Sequence, residues 1–355
     1  MTDLALRARS FGLEAARFAP RFTGKDARVW LASALIFVLL FAADPAQGAA
    51  SFAFTLDALL ETAPYLLLSI AIAAYAGASG ADNLIARAFT GSPILMIVLA
   101  ALAGGLSPFC SCGVIPLIAA LLAMGVPLSA VMAFWLASPV MDPSMFILTT
   151  GVLGSGFAIA KTAAAVGLGL FGGFVTLALM RAGGLADPLR EGVGNGGCGG
   201  SKVRSARPVV WRFWEEDARV AKFVREAWKT TLFLGQWLTL AFAIESLMLA
   251  FVPAEWIAGA LGGEGLLPIA TATLVGVPAY LNGYAALPVV AGLIGQGMAP
   301  GAGLAFLVAG GVTSLPAAIA VFALVKRQVF LLYLALALSG SFAAGLIFQG
   351  LVAAA

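Results

Sequence analysis

Apolar runs closed by proline, glycine or a charged residue recur along almost the whole chain. They cover residues 29–43, 55–79, 93–109, 114–137, 144–160 and 162–181, and then 228–252, 264–279, 286–309, 314–326 and 328–353. Most come near the ~17–25 residues that an α-helix needs to cross the hydrocarbon core of a bilayer. The pattern predicts an all-α polytopic membrane protein with about ten or eleven transmembrane segments. Between the two groups of runs lies the one long polar stretch, from Gly183 to about Ala218.

Composition agrees with lipid as the solvent. Of 355 residues, 61% are hydrophobic and 10% charged, with a mean hydropathy of +1.01, whereas soluble domains carry roughly 45–50% apolar and ~25% charged residues. The net charge of +3 is small, and its distribution bears on orientation more than on nucleic acid, which is not an expected partner. Arg7, Arg9, Arg17, Arg21, Lys25 and Arg28 crowd the first segment, and a second basic cluster runs from Arg181 to Lys229. The positive-inside rule makes both cytoplasmic. The six runs between them satisfy the required even number of crossings, although Lys161 then falls outside, against the rule. The C-terminus is expected outside.

These readings divide the chain into a cytoplasmic N-terminal segment with a first anchor helix (1–54), a first transmembrane repeat (55–182), a cytoplasmic linker (183–227) and a second repeat (228–355). The first run reads as a signal anchor rather than a cleaved signal. The expected location is the cell inner membrane, multi-pass, with a cytoplasmic N-terminus. In the linker, G-V-G-N-G-G-C-G-G-S reads as flexible, and W-R-F-W-E-E-D-A-R-V-A-K-F-V-R-E-A-W as an amphipathic helix lying in the membrane interface.

Several chemistries are excluded. With no histidine, an ordinary catalytic triad, a histidine-ligated zinc and a histidine proton relay are all absent. Cys110, Cys112 and Cys198 are too few for a disulfide framework. No G-x-x-x-x-G-K-[ST] phosphate loop occurs, so transport by this chain alone is ion-coupled or passive. No enzyme activity and no cofactor are predicted.

The two halves resemble one another. S-P-F-C-S-C-G-V-I-P (Ser107 to Pro116), Gly125 and A-F-W-L-A-S-P-V-M-D-P (Ala133 to Pro143) are matched by V-P-A-Y-L-N-G-Y-A-A-L-P (Val277 to Pro288), Gly297 and A-F-L-V-A-G-G-V-T-S-L-P (Ala305 to Pro316). Pro116 and Pro288, Gly125 and Gly297, and Ala133-Phe134 and Ala305-Phe306 keep one constant offset. Each copy holds five expected segments, and an odd number turns the second copy over, giving two inverted five-segment repeats with broken or re-entrant helices. Unwound backbone in a bilayer survives only in protein or beside a water-filled cavity, so the loops around Cys110 and Asn282 are the candidate solute site.

Cys-Ser-Cys is the sharpest local signal. Residues two apart diverge on a helix but share a side in an extended or turning segment, and Pro108 and Gly113 favour the latter. If a helix starts near Gly113, its dipole favours a thiolate at Cys112. Two thiols without imidazole or an adjacent carboxylate make a soft site, suited to a thiophilic metal ion or trivalent arsenic. The opposite loop offers Asn282, Tyr280 and Tyr284. Acids within the runs are few: Glu245 is the deepest, Asp142 ends a segment, and Asp57 and Glu61 stand near the start of another. Intramembrane acids are candidates for proton coupling, which points first to Glu245 and Asp142. Met141 and Met145 either extend a soft pathway or pack the core.

The stretches S-P-F-C-S-C-G-V-I-P-L and A-F-W-L-A-S-P-V-M-D-P resemble those of a predicted permease family that includes the bacterial ArsP-type organoarsenical efflux permeases and relatives linked to copper and zinc export. The resemblance runs from about residue 55. It implies an inner-membrane exporter of thiophilic metals or organometalloids, and points to Cys110, Cys112, Gly113 and Pro116 in the first motif and to Ser138, Pro139 and Pro143 in the second; Ser111, between the cysteines, is counted with the candidate solute site. Members often carry a cysteine- or histidine-rich cytoplasmic loop, whereas here only Cys198 remains. The expected partners are a small solute or metal ion and the lipid bilayer, with homo-oligomerisation left open. Two alternatives stand beside export: a membrane thiol oxidoreductase using Cys110 and Cys112 as a redox pair, and a transporter of a sulfur- or selenium-containing anion.

Overall fold

A computed structural model describes residues 24–80, 92–107, 113–185, 188–190, 209–251, 265–279 and 283–354. Regular structure among them is helical apart from a single β-bridge, Leu189 with Val325. The first seven helices are α1 (Gly24–Ala43), α2 (Pro45–Ser79), α3 (Pro93–Gly105), α4 (Ile115–Ala123), α5 (Leu128–Ala137), α6 (Pro143–Leu153) and α7 (Ser155–Arg181). After the linker come α8 (Asp217–Phe251), α9 (Leu266–Ala279), α10 (Gly283–Gly295), α11 (Pro300–Thr313), α12 (Leu315–Leu324) and α13 (Arg327–Ala354).

The second set of helices repeats the first at a fixed displacement. Helices α2 and α8 are both 35 residues long and begin 172 residues apart (217 − 45). The starts of α5 and α11, of α6 and α12, and of α7 and α13 differ by the same 172. Packing repeats as well. A Cβ on Gly104 would sit 2.6 Å from the carbonyl oxygen of Phe134, and one on Gly276 would sit 2.7 Å from that of Phe306. A Cβ on Gly173 would crowd Ile97, Ala133 and the Ser129 carbonyl; one on Gly345 would crowd Ile269, Ala305 and the Gly301 carbonyl. Every residue in the second of each pair is the first shifted by 172. Bare helix faces bring backbones together in the manner of membrane helices, where close van der Waals packing replaces a hydrophobic drive. The units α3/α5/α7 and α9/α11/α13 are thus two copies of one three-helix assembly.

Helices α7 and α13 pack antiparallel where they meet. Phe157, near the start of α7, packs edge-on against Phe348, near the end of α13, with ring centroids 5.3 Å apart. Further along, Gly340 of α13 lies against Leu168 and Phe171. Helices α2 and α8 pack side by side, with the end of the first beside the start of the second. There Val210 N–H donates to Ser79 O (2.9 Å), the Arg219 guanidinium to Ala78 O (2.9 Å) and the Tyr75 hydroxyl to Trp211 O (3.0 Å). The short helices cross over: α4 packs on α12, and α6 on α10.

Three expectations change. Runs 114–137 and 286–309, read as single spans, are each two helices. The cause is one turn used twice: Val126 N–H bonds Leu121 O and Gly125 N–H bonds Leu122 O, while Met298 and Gly297 make the same pair of bonds to Leu293 and Ile294. This is a Schellman cap, which needs a left-handed residue, and Gly125 (φ 87°) and Gly297 (φ 102°) supply it. The boundary placed at Lys161 lies instead at Gly154 (φ 89°), so Lys161 falls inside α7. The interfacial helix expected from Trp211 onward is a single 3₁₀ turn, Phe213–Glu215, followed by the first turns of α8.

Consequently, only three described stretches are long and apolar enough to cross a membrane by themselves: Ser155–Arg181, Pro300–Leu324 and Arg327–Ala354. A fourth is obtained if α2, bent by 42° after Pro64, is taken as one span. Six shorter apolar helices among the described residues are 10–17 residues long, and α4 has 9.

Candidate functional site

Interrupted helices bracket the residues singled out above. Helix α3 stops at Gly105, where Ser107 N–H bonds Gly104 O (2.9 Å), and α4 starts at Ile115 with Pro116 in its first turn. Gly113 and Val114 form a buried turn ahead of it, and Pro116 is buried. Helix α4 thus begins two residues later than Gly113. Cys110, Ser111 and Cys112, and in the second copy Tyr280 and Asn282, lie outside the described residues. Tyr284 falls in the first turn of α10.

The second motif forms the junction between α5 and α6. Pro139 and Pro143 deny this stretch two backbone donors. Ser138 ends α5 with its N–H on Phe134 O (3.0 Å), and its buried hydroxyl has no hydrogen-bond partner. Asp142 caps α6 by accepting from Met145 N–H (2.9 Å), which ties its carboxylate to the helix N-terminus. Met141 and Met145 do not share a helix face: Met141 precedes the cap, and both are packed into the core.

Beside this junction stands a residue that the sequence reading placed outside. Lys161 is completely buried in α7, and its Nζ has no hydrogen-bond partner. A lysine near a membrane helix end ordinarily snorkels to water, but this one is enclosed by protein. Its equivalent in the second copy (161 + 172) is Tyr333, which is equally buried. Tyr333 stacks on Trp135 of the first copy (4.6 Å between centroids, 19° between planes). Its hydroxyl donates to the carbonyl of Val312, just before the α11–α12 junction. The signal that could have revealed Lys161 was its register with Tyr333.

Glu245 is also enclosed, at 3% exposure, with Oε2 unpartnered, in a helix packed on α1, α2 and α12. Asp57 and Glu61 differ from it: both are on the outer, exposed side of α2. Thr176 of α7 is a further buried hydroxyl without a partner. No group of three histidine, cysteine, aspartate or glutamate side chains able to hold a metal ion occurs among the described residues.

The described residues thus form a doubled helical assembly with interrupted helices and enclosed charges. Residues 49–350 match the ArsP_1 family, described as a predicted permease. The chain belongs to that family. Among curated relatives of this ArsP_1 chain, the UPF0718 protein YcgR of Bacillus subtilis (strain 168) is 33% identical over 101 residues, 28% of this chain and 34% of that protein. The UPF0718 protein MJ0584 of Methanocaldococcus jannaschii is 25% identical over 128 residues, 36% of this chain and 35% of that protein. The chain thus spans about a third of the length of each relative in these matches. No solved structure matches the ArsP_1 chain.

Proposed function

We propose that this ArsP_1 chain is an inner-membrane permease that exports a soft, thiophilic solute, a metal ion or a trivalent organoarsenical. In this reading Cys110 and Cys112 are the ligands, with Ser111, Gly113, Pro116, Ser138 and Pro139 around them and Asn282 and Tyr284 opposite, and Glu245 or Asp142 carries the coupling proton. The two copies are inverted repeats with about ten or eleven membrane passages, counting half-helices that enter from either face, and the N-terminus is cytoplasmic.

The observation that carries the reading is the antiparallel contact of α7 with α13, equivalent helices of a duplicated unit. Two units related in this way present the same surface to opposite faces of a bilayer, which is what alternating access requires. The interrupted segments between α3 and α4 and between α9 and α10 then approach from opposite sides. A pair of sulfur ligands in one of them favours soft acceptors over magnesium or calcium.

The test is a flux panel in proteoliposomes with arsenite, methylarsenite, Cu(I) and thiosulfate, comparing wild type with Cys110→Ser and Cys112→Ser. Uptake of a thiophile that either substitution reduces at least tenfold, with normal membrane insertion, supports the reading. Unchanged flux in both variants removes the thiols from the mechanism, and flux of thiosulfate alone replaces the soft-cation or arsenical cargo with a sulfur anion.

A further inference from the structure

The two copies turn the same corner by different means. In the first, α6 gives way to α7 at Gly154, whose left-handed backbone (φ 89°) turns the chain without outside help. In the second, the equivalent residue is Lys326, and the α12–α13 corner is made by extended backbone at Val325 (φ −106°, ψ 161°). Three residues of the linker bond this corner. Arg190 N–H donates to Leu324 O (3.1 Å) and Lys326 N–H to Pro188 O (2.9 Å), closing the antiparallel bridge of Leu189 with Val325. The Arg190 Nε–H donates to Val325 O (2.9 Å), and its guanidinium carbon lies 4.3 Å from the centre of the Phe322 ring. That ring meets Phe330 of α13 edge-on, with centroids 5.3 Å apart. A helix end leaves carbonyls without intrahelical donors, and here the linker supplies them.

The half-helices beside the two corners are also placed differently. In the first copy α6 lies along its neighbour α7, whereas in the second α12 lies chiefly against α8 and also meets α4, the helix that follows the Cys-Ser-Cys motif. One element therefore takes two placements within one molecule, as expected of a packing with two discrete arrangements. The linker joins the copies and has no counterpart, and it is bonded at the corner where they differ. Leu189, Arg190 and Lys326 are partly exposed, so water can replace the bonds between them at small net cost.

We propose that Pro188–Arg190 is a releasable clip on the α12–α13 corner: engaged, it holds α12 against α8, and released, it lets α12 fold along α13 as α6 folds along α7. Because α12 meets α4, that swing alters the passage beside the Cys-Ser-Cys motif. Inverted copies that exchange placements turn a central site from one face of the bilayer to the other, so the linker governs which face is open. This deepens the permease reading and rests on it.

The experiment reads the corner directly. Full-length protein without its native cysteines, in nanodiscs, carries nitroxide labels at Ala318→Cys on α12 and Leu331→Cys on α13, and their dipolar coupling gives the distance distribution. Arg190→Pro removes the N–H donor and the guanidinium together, and Arg190→Ala removes the guanidinium alone. The short-distance fraction is expected to rise at least threefold in Arg190→Pro and by less in Arg190→Ala. Arg212→Ala, which breaks an exposed ion pair with Glu215 elsewhere in the linker, should match the unsubstituted chain. Arg190 variants that match it as well, or shift only to longer distances, overturn the clip, and so does an equal shift in Arg212→Ala. Where Arg190→Pro does not insert, Arg190→Ala decides by the same criterion. Control of the path is read with the native cysteines in place, as flux of whichever of arsenite, methylarsenite, Cu(I) and thiosulfate the wild type carries. Arg190→Pro should change that flux at least threefold, and a shifted distance with unchanged flux overturns the gating role. A wild type that carries none of the four removes the permease reading, while the distances still decide the clip.

Discussion

At the scale of single residues, burial separates charges that sequence position cannot. Glu245, Asp57 and Glu61 all interrupt apolar sequence, yet only Glu245 is enclosed by protein. Glu245→Gln, which removes the charge and keeps the shape, is expected to leave insertion and thermal stability intact and to reduce solute flux at least tenfold. Asp57→Asn and Glu61→Gln are expected to leave flux within twofold of wild type. Proteoliposome flux normalised to inserted protein checks both, and loss of flux in the Asp57 and Glu61 variants would place the coupling acid on the outer face of α2. Glycines divide in the same way. Gly104→Ala and Gly276→Ala push a methyl into a carbonyl on the neighbouring helix and should each cost about 1–3 kcal/mol by overpacking. Gly151→Ala and Gly292→Ala, with nothing within 4 Å, should be neutral or gain up to about 1 kcal/mol of helix propensity. Thermal midpoints in one detergent compare all four. Lys161 escaped the sequence reading because a charge amid apolar residues is normally the edge of a span, and a lone sequence does not reveal that protein closes over it.

At the scale of elements, the runs of apolar residues were readable and their interruptions were not. Hydrophobicity continues through Met124, Gly125, Val126 and Pro127 with no polar residue to mark a stop, and the break is made by backbone hydrogen bonds around a left-handed glycine. The constant spacing of Gly125 and Gly297 did show in the sequence, but as evidence of duplication rather than of a turn. Ser314 and Asp142 occupy equivalent places before α12 and α6, and only Asp142 caps its helix through its side chain. Substituting alanine at Gly125 or Gly297 forces a Cβ into the left-handed region, at about 1–2 kcal/mol. The two variants should lower the thermal midpoint by similar amounts, since the same turn is lost in each copy. A large effect at one and none at the other would mean that the two turns carry unequal load.

At the scale of the whole molecule, two copies at a fixed displacement were legible from matched prolines and glycines, and among the described residues the structure adds that α3/α5/α7 and α9/α11/α13 pack alike and that α7 meets α13 antiparallel. A direct measure of the inverted arrangement is labelling of Ser155→Cys and Gln328→Cys, at the starts of α7 and α13, in a background without the native cysteines. An impermeant maleimide should reach one from the cytoplasmic face and the other from the opposite face. Labelling of both from a single face would rule out the inversion. The meeting of α7 with α13 at Leu168 and Gly340 has a historical consequence. These residues are themselves equivalents, so in a half-length ancestor that paired with its own twin, this place would have met itself, with identical side chains on both sides. A methyl on Gly340 would collide with Leu168, so leucine facing leucine does not fit here. One copy therefore carries the knob and the other the hole at this crossing: two first halves would meet leucine to leucine in collision, and two second halves glycine to glycine across a gap.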